Sequence, residues 1–190
     1  SLEKSRRLGF GKCYGFAAVE EVREKFKVAP NHVFMDSGFL PKGDHGVYAA
    51  CLKNGWVAVK GSSEHFFIHA LRNRRKVQKS YAPLAWGDPS GGTAKEGRRY
   101  CPLIRFSKNQ MNQKVQELID HGHWEEPLNG PDAEMEKEYS AQMSARVKKT
   151  EYSAKTGGSK VFWKESKNDH ARDLANGQVL GAVLAELLPL

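Results

Sequence analysis

The stretch HVFMDSGFLPKGDHGVYAACLKNGWVAVKGSSE, residues 32 to 64, does most to limit how this chain can fold. "HVFMD" is a short continuous apolar run that ends on Asp36, and "WVAVKG" is a second run of the same kind. Continuous apolar runs suit strands covered on both faces, as in a parallel sheet. Between them "HGVYAACLKN" reads as a helix, with Asp44 as its N-cap and Gly55 as its stop. Strand, helix and strand over this length make a βαβ unit with parallel pairing, so the expected fold class is α/β.

The rest of the chain adds elements around that unit. Residues 17–27, "AAVEEVREKFK", place Val19, Val22 and Phe26 on one helical face, and Pro30 breaks the helix. Residues 80–100 are rich in Gly, Pro and Ser and read as a long loop or hairpin. "YCPLIRFS" (100–107) reads as a strand that feeds the helix "NQMNQKVQELIDHG". A Pro/Gly linker at 125–133 precedes a surface helix, "DAEMEKEYSAQMSARVKK". "EYSAKTGGSKVFWKES" is a hairpin pattern, because Gly157-Gly158 supplies positive φ between two alternating segments. A helix from about Asp169 to Leu188 closes the chain. No internal repeat and no second domain is evident, so residues 1–190 are expected to form one domain.

A hydrophobic content of 39% with 27% charged residues describes a globular chain. No run approaches the ~18 consecutive apolar residues of a membrane span. The opening "SLEKSRRLGFGKCYGF" lacks the apolar stretch of a signal peptide. Cys13, Cys51 and Cys101 form no CxxC pair, which predicts a reduced cytosolic protein without a disulfide framework. The net charge of +8 points to a polyanionic partner.

Three local motifs carry less than they promise. "GDPSGGTAK" (87–95) lacks the Gly-Lys-Ser/Thr of a phosphate-binding loop, since Gly92 is followed by Thr93 and Ala94. In "HFFIH", His65 and His69 are one helical turn apart, but Phe66 stands where a zinc protease needs Glu. "RNRRKVQK" concentrates Arg72, Arg74, Arg75, Lys76 and Lys79, either a solvated face or a phosphate-binding patch.

Two acids raise a sharper question. In the final helix Leu180, Val183, Leu184, Leu187 and Leu188 define an apolar stripe, and counting back by turns reaches Gly177 and Asp173. An inward carboxylate costs several kcal/mol by rough transfer estimates unless it is paired or holds a cation. Asp169, one turn earlier, serves equally well as an N-cap. Asp36 stands beyond the carboxyl end of its strand, where open α/β sheets bind ligands. Either acid alone is read as half of a salt bridge, Asp36 to a lysine such as Lys60. Together, with basic surface between them, they are read as ligands of Mg²⁺ or Mn²⁺.

"HVFMDSG…VYAACLKNGWVAVKGSS" and "KNDHARDLANGQVLGAVLAELL" resemble the C-terminal nuclease domain of tailed-phage terminase large subunits, of the lambda type. The match spans roughly residues 16 to 188 and is specific at the Asp-Ser-Gly strand end, the Lys-Gly-Ser strand end and "NDHARD". The resemblance implies an RNase H-like mixed sheet flanked by helices. It also implies a two-metal endonuclease that cuts concatemeric viral DNA during genome packaging in the cytoplasm of the bacterial host. Asp36 corresponds to the family's second acid and Asp173 to its third, with Asp169 and His170 beside the latter. Lys60 falls on the Lys-Gly-Ser turn, and with Arg72, Arg74, Arg75 and Lys76 it is expected to meet double-stranded DNA. By resemblance the partners are the terminase small subunit and the portal protein, with no membrane.

The chain departs from the family at its start. Residues 1–15 are too short for the three strands that precede the first helix there, and they hold no aspartate. The first acid is therefore expected either to lie upstream or to be supplied otherwise. The alternative function is a DNA-binding or assembly module of the same fold without catalysis. An α/β enzyme of unrelated chemistry is a third class.

Overall fold

The computed structural model describes residues 5–38, 46–64, 66–87, 100–126, 132–152, 157–164 and 168–188. In chain order its elements are β1 (Ser5–Arg6), α1 (Phe16–Lys25), β2 (Phe34–Asp36), α2 (Gly46–Asn54), β3 (Val57–Ser62), β4 (Phe67–Ala70), β5 (Lys76–Lys79), β6 (Tyr81–Gly87) and β7 (Tyr100–Ser107). There follow α3 (Lys108–Asp120), β8 (Trp124–Glu125), α4 (Ala133–Ser144), β9 (Val147–Tyr152), β10 (Ser159–Lys164) and α5 (His170–Leu184). The chain divides into two compact units, Lys12–Lys108 and Ser1–Gly11 with Asn109–Leu190. No helix among the described residues is long and apolar enough to cross a membrane.

The first unit holds a mixed four-stranded sheet in the order β2-β3-β7-β6. β2, β3 and β7 run parallel, and β6 lies antiparallel to β7. The βαβ reading of residues 32–62 therefore holds, and Gly55, at φ +72°, ends α2 as expected. Asp44 lies outside the described residues. One face of the sheet carries the core: Tyr48, Ala50 and Cys51 of α2 pack with Trp56, Ala58, Cys101 and Leu103. Val19 of α1 and Met35 of β2 close over that cluster.

Three expectations are corrected in this unit. The inner face of α1 is not Val19, Val22 and Phe26, because Val22 and Phe26 are exposed. Val19, Glu20 and Arg23 are the half-buried residues instead. Phe16 meets the Trp56 ring at 6.3 Å, and Arg23 binds Glu20 at 2.7 Å and the Val28 carbonyl at 2.8 Å. Arg23, which ties Glu20 to a carbonyl beyond the helix end, takes a half-buried place where the period alone selects apolar residues. Of the two readings of residues 80–100 the hairpin holds, because β6 pairs antiparallel with β7; the part of "GDPSGGTAK" after Gly87 lies outside the described residues. His69 stands in a strand and not on a helical turn, and His65 is outside the described residues. Asp36 and Lys60 point to opposite faces, as detailed below.

In the second unit, β9 and β10 form the expected hairpin, with Gly157 at φ +66° in its turn. The surface helix is shorter than the pattern suggested: α4 ends at Ser144 and Val147 already opens β9. The buried stripe of α5 is also shifted. Ala171, Ala175 and Val179 with Arg172, Asn176 and Leu180 face inward, while Leu187 is 75% exposed past the end of the helix. The inward row thus steps back from Leu180 by fours to Asn176 and Arg172, one residue away from Gly177 and Asp173. The small alanines let that edge of the helix approach its neighbours.

Candidate functional site

Because β2, β3 and β7 are parallel, their carboxyl ends share one rim, occupied by Asp36-Ser37, Ser62 and Ser107. The three serines are buried. Ser37 fixes the end of β2: its N–H and its Oγ–H both donate to the Val59 carbonyl, at 2.8 and 3.0 Å, and Tyr48 donates to its Oγ at 3.2 Å. The chain then turns sharply, and Gly38 N–H donates to Asp36 Oδ1 at 2.8 Å. Asp36 is therefore exposed and solvated, with one oxygen in an Asx-turn. A Cβ at Gly38 would stand 3.1 Å from that oxygen, which makes glycine the favoured residue there.

The register settles which side chains Asp36 can meet. Asp36 pairs with Val59 and Lys60 pairs with Arg105, so the pleat sends Asp36 and Lys60 to opposite faces. The salt bridge expected between them is thereby excluded. The lysine on the Asp36 face is Lys108. A Cβ at Gly61 would lie 2.3 to 2.9 Å from the Lys108 side-chain carbons, so the Lys108 stem crosses the sheet over Gly61 on the Val59 side. The sequence signal was the glycine of Lys-Gly-Ser, whose missing side chain makes the room. Arg105, on the Lys60 face, reaches Ser62 Oγ and Glu64 Oε1, each at 3.3 Å, and covers the Phe67 ring.

The basic run 72–79 forms the tip and return strand of a two-stranded ribbon. β4 and β5 pair antiparallel from Phe67↔Lys79 to Ala70↔Lys76. Leu71 and Arg75 close the turn at 2.8 Å, and Arg74 takes φ +60° within it. Arg72, Arg74, Arg75 and Lys76 are all exposed. A ribbon of this width fits the ≈12 Å major groove of duplex DNA.

In the second unit, one arginine gathers the acids of the final helix. Arg146 Nε donates to Asp169 Oδ2 at 2.7 Å, Nη2 to Asp173 Oδ1 at 2.6 Å and Nη1 to Asn112 Oδ1 at 3.0 Å. Burial works against the Arg146 charge, but the two carboxylates outweigh it and its pKa is raised. Asp169 does not cap α5 through its side chain. Gln142 of α4 does so, accepting from the Ala171 N–H at 2.9 Å. His170, beside it, is exposed. Asn112 Oδ1 also accepts from Arg172 Nε at 3.3 Å, while Arg172 Nη2 reaches the Asn112 carbonyl and Gln116 Oε1. Burial, and then the charge of Arg146, lower the Arg172 pKa to about 10. Neither arginine was singled out in the sequence, because an isolated Arg between two polar segments has no periodic signature.

The structure thus brings Asp169 and Asp173 together on Arg146 and brings the four cations of the ribbon together at one tip. Asp36 belongs to the first unit and Asp173 to the second. Among the described residues no group of three His, Cys, Asp or Glu side chains could hold a metal ion. Comparison of the chain with protein-family models, curated proteins and solved structures gives no match.

Proposed function

We propose that the chain is a metal-dependent DNA endonuclease domain of the terminase large-subunit type. It would act on viral DNA in the host cytoplasm, with the small subunit and portal protein as partners. The observation that carries this reading is Asp36, an exposed carboxylate at the carboxyl end of a parallel strand in a βαβ unit. No cation lies within ion-pair distance of it among the described residues. Its open oxygen suits a hard cation, Mg²⁺ or Mn²⁺, which would polarise a phosphodiester and activate water when bound. Lys108, on the same face, supplies positive charge for a phosphate, and the ribbon holds the duplex through Arg72, Arg74, Arg75 and Lys76. Lys60 and Arg105 extend the basic surface on the opposite face.

A second reading rests on Arg146. Asp169 and Asp173 both bind that guanidinium, so in this arrangement a cation held by them would meet a fixed positive charge. This favours a DNA-binding module of the same class without catalysis. Supercoiled plasmid incubated with the chain and Mg²⁺ or Mn²⁺ separates the two. Cleavage that disappears in Asp36→Asn supports the endonuclease. Retardation without cleavage supports the binding module, and the absence of both refutes both readings.

A further inference from the structure

The ribbon of β4 and β5 presents a face that phosphate contacts alone leave unused. Its register divides the side chains between two faces. Phe67, His69, Val77 and Lys79 share the one turned to the four-stranded sheet. Phe67 lies under Arg105 of β7, and Lys79 Nζ stands 5.7 Å from the centre of the Tyr81 ring of β6. Ile68, Ala70, Lys76 and Gln78 share the other face, and all four are exposed, Ile68 to 61%. Ile68 and Gln78 are directly opposed across the two strands, which sets their Cβ atoms about 5 Å apart. Residues 66–79 hold no Asp or Glu. Among the described residues Arg72, Arg74, Arg75 and Lys76 take part in no ion pair.

An acid-free ribbon with unpaired cations around its tip attracts a polyanion. A two-stranded ribbon enters the major groove of a duplex with one face towards the base edges. There adenine offers N7 as acceptor and N6 as donor, which a side-chain amide matches with two hydrogen bonds. Its thymine partner offers a C5-methyl group to an apolar side chain. A glutamine directly opposite an isoleucine presents both complements side by side. We infer that the exposed face of the ribbon reads base sequence. Gln78 bonds the adenine and Ile68 meets the thymine methyl of an A·T pair, while Arg72, Arg74, Arg75 and Lys76 hold phosphates. The inference rests on the ribbon as the duplex-holding element proposed above and adds sequence preference to it; it stands whether or not the chain cuts DNA.

The test uses the whole chain in EDTA, which stops any cation-dependent cleavage, and a duplex library with a randomised centre. Bound molecules should be enriched in an A·T pair at one position, with A·T preferred to G·C by at least about fivefold. Uracil in place of that thymine removes only the methyl group and should weaken binding about threefold. Gln78→Glu, whose carboxylate accepts from cytosine N4, should shift the preference to C·G. Ile68→Ser should abolish the difference between thymine and uracil while keeping the preference for A·T. Both positions are exposed, so the circular dichroism of the two variants should match that of the parent chain. Duplex binding without enrichment, a preference unchanged in Gln78→Glu, or equal binding of thymine and uracil would overturn the inference and leave the ribbon as a phosphate contact. No duplex binding at all would refute the ribbon as a DNA-holding element and this inference with it. Retention on phosphatidylserine vesicles, or dimerisation lost in Ile68→Ser, would then identify the occupant of the face as lipid or as a second copy of the chain.

Discussion

Arg146 and Asp173 are joined by a 2.6 Å hydrogen bond that is also an ion pair, and the same guanidinium holds Asp169. The Arg146 side chain is 1% exposed, so its removal leaves two carboxylates with little water to replace it. Arg146→Met is expected to cost about 3–5 kcal/mol of stability, the range for breaking one side of a buried pair. Arg146→Lys should recover less than half of that, because an ammonium cannot reach three acceptors in one plane. Urea unfolding measures both. A loss below about 1 kcal/mol in Arg146→Met would mean that the pair behaves as a surface ion pair.

Asp36→Asn separates structure from chemistry at the rim. The amide oxygen of asparagine still accepts from Gly38 N–H, so the Asx-turn survives and stability should change by no more than about 0.5 kcal/mol. Any cation-dependent cleavage should fall to background. Asp36→Ala removes both the turn acceptor and the charge, and should lower the melting temperature slightly as well. Activity retained in a folded Asp36→Asn protein would exclude Asp36 from the reaction.

The first unit was largely legible in the sequence, and the reason is periodicity. Two continuous apolar runs, a helix between them and a glycine stop can be satisfied together only by a parallel βαβ unit. The position of Asp36 at a strand end followed directly. Its surroundings did not, because the pleat decides that Lys60 faces away, and the stem over Gly61 comes from Lys108, far along the chain. In α5 the apolar leucines lie past Leu180 and carried the reading towards the end of the helix. The inward row continues through Asn176 and Arg172, which no hydropathy pattern marks as buried.

Asn176 offers a test of that row. It is 0% exposed, and both polar atoms of its side chain lack a hydrogen-bond partner among the described residues. An unsatisfied buried amide costs about 1–3 kcal/mol. Asn176→Leu, which keeps the number and branching of the side-chain heavy atoms, should raise stability by about 1 kcal/mol in denaturant unfolding. A loss of stability would show that the amide is hydrogen-bonded in solution.

The thiols differ in a way that pH exposes. Burial pushes the Cys51 thiol up to about 12, with Cys101 beside it adding to the effect, and Cys101 is raised by burial too. Cys13 is exposed. At pH 8 a thiol reagent should modify Cys13 quickly and the other two only on unfolding. The sign of the linkage is fixed: a folded pKa above the unfolded value of 9.0 gives stability that is complete below pH 9 and lost as pH rises towards 12. Cys51→Ser and Cys51→Ala should both flatten that decline. An equally steep decline in either variant would assign it to other groups.

The ribbon tip can be tested with charge and fold held apart. Arg72, Arg74, Arg75 and Lys76 replaced together by Gln should weaken duplex binding uniformly across sequences. They should also make the dependence of log K on log salt shallower by about 3 to 4, roughly one counterion for each phosphate that is no longer neutralised. Arg74 alone sits at φ +60°, where a non-glycine residue is strained by roughly 1 kcal/mol. Arg74→Gly should therefore remove one charge and reduce the slope by about 1, while leaving the hairpin at least as stable as before. Weaker binding at an unchanged slope would place the effect on the fold of the hairpin. Binding and slope both unchanged in the quadruple variant would make the tip an ordinary solvated surface, and the nucleic-acid interface would then have to be sought at Lys60, Arg105 and Lys108.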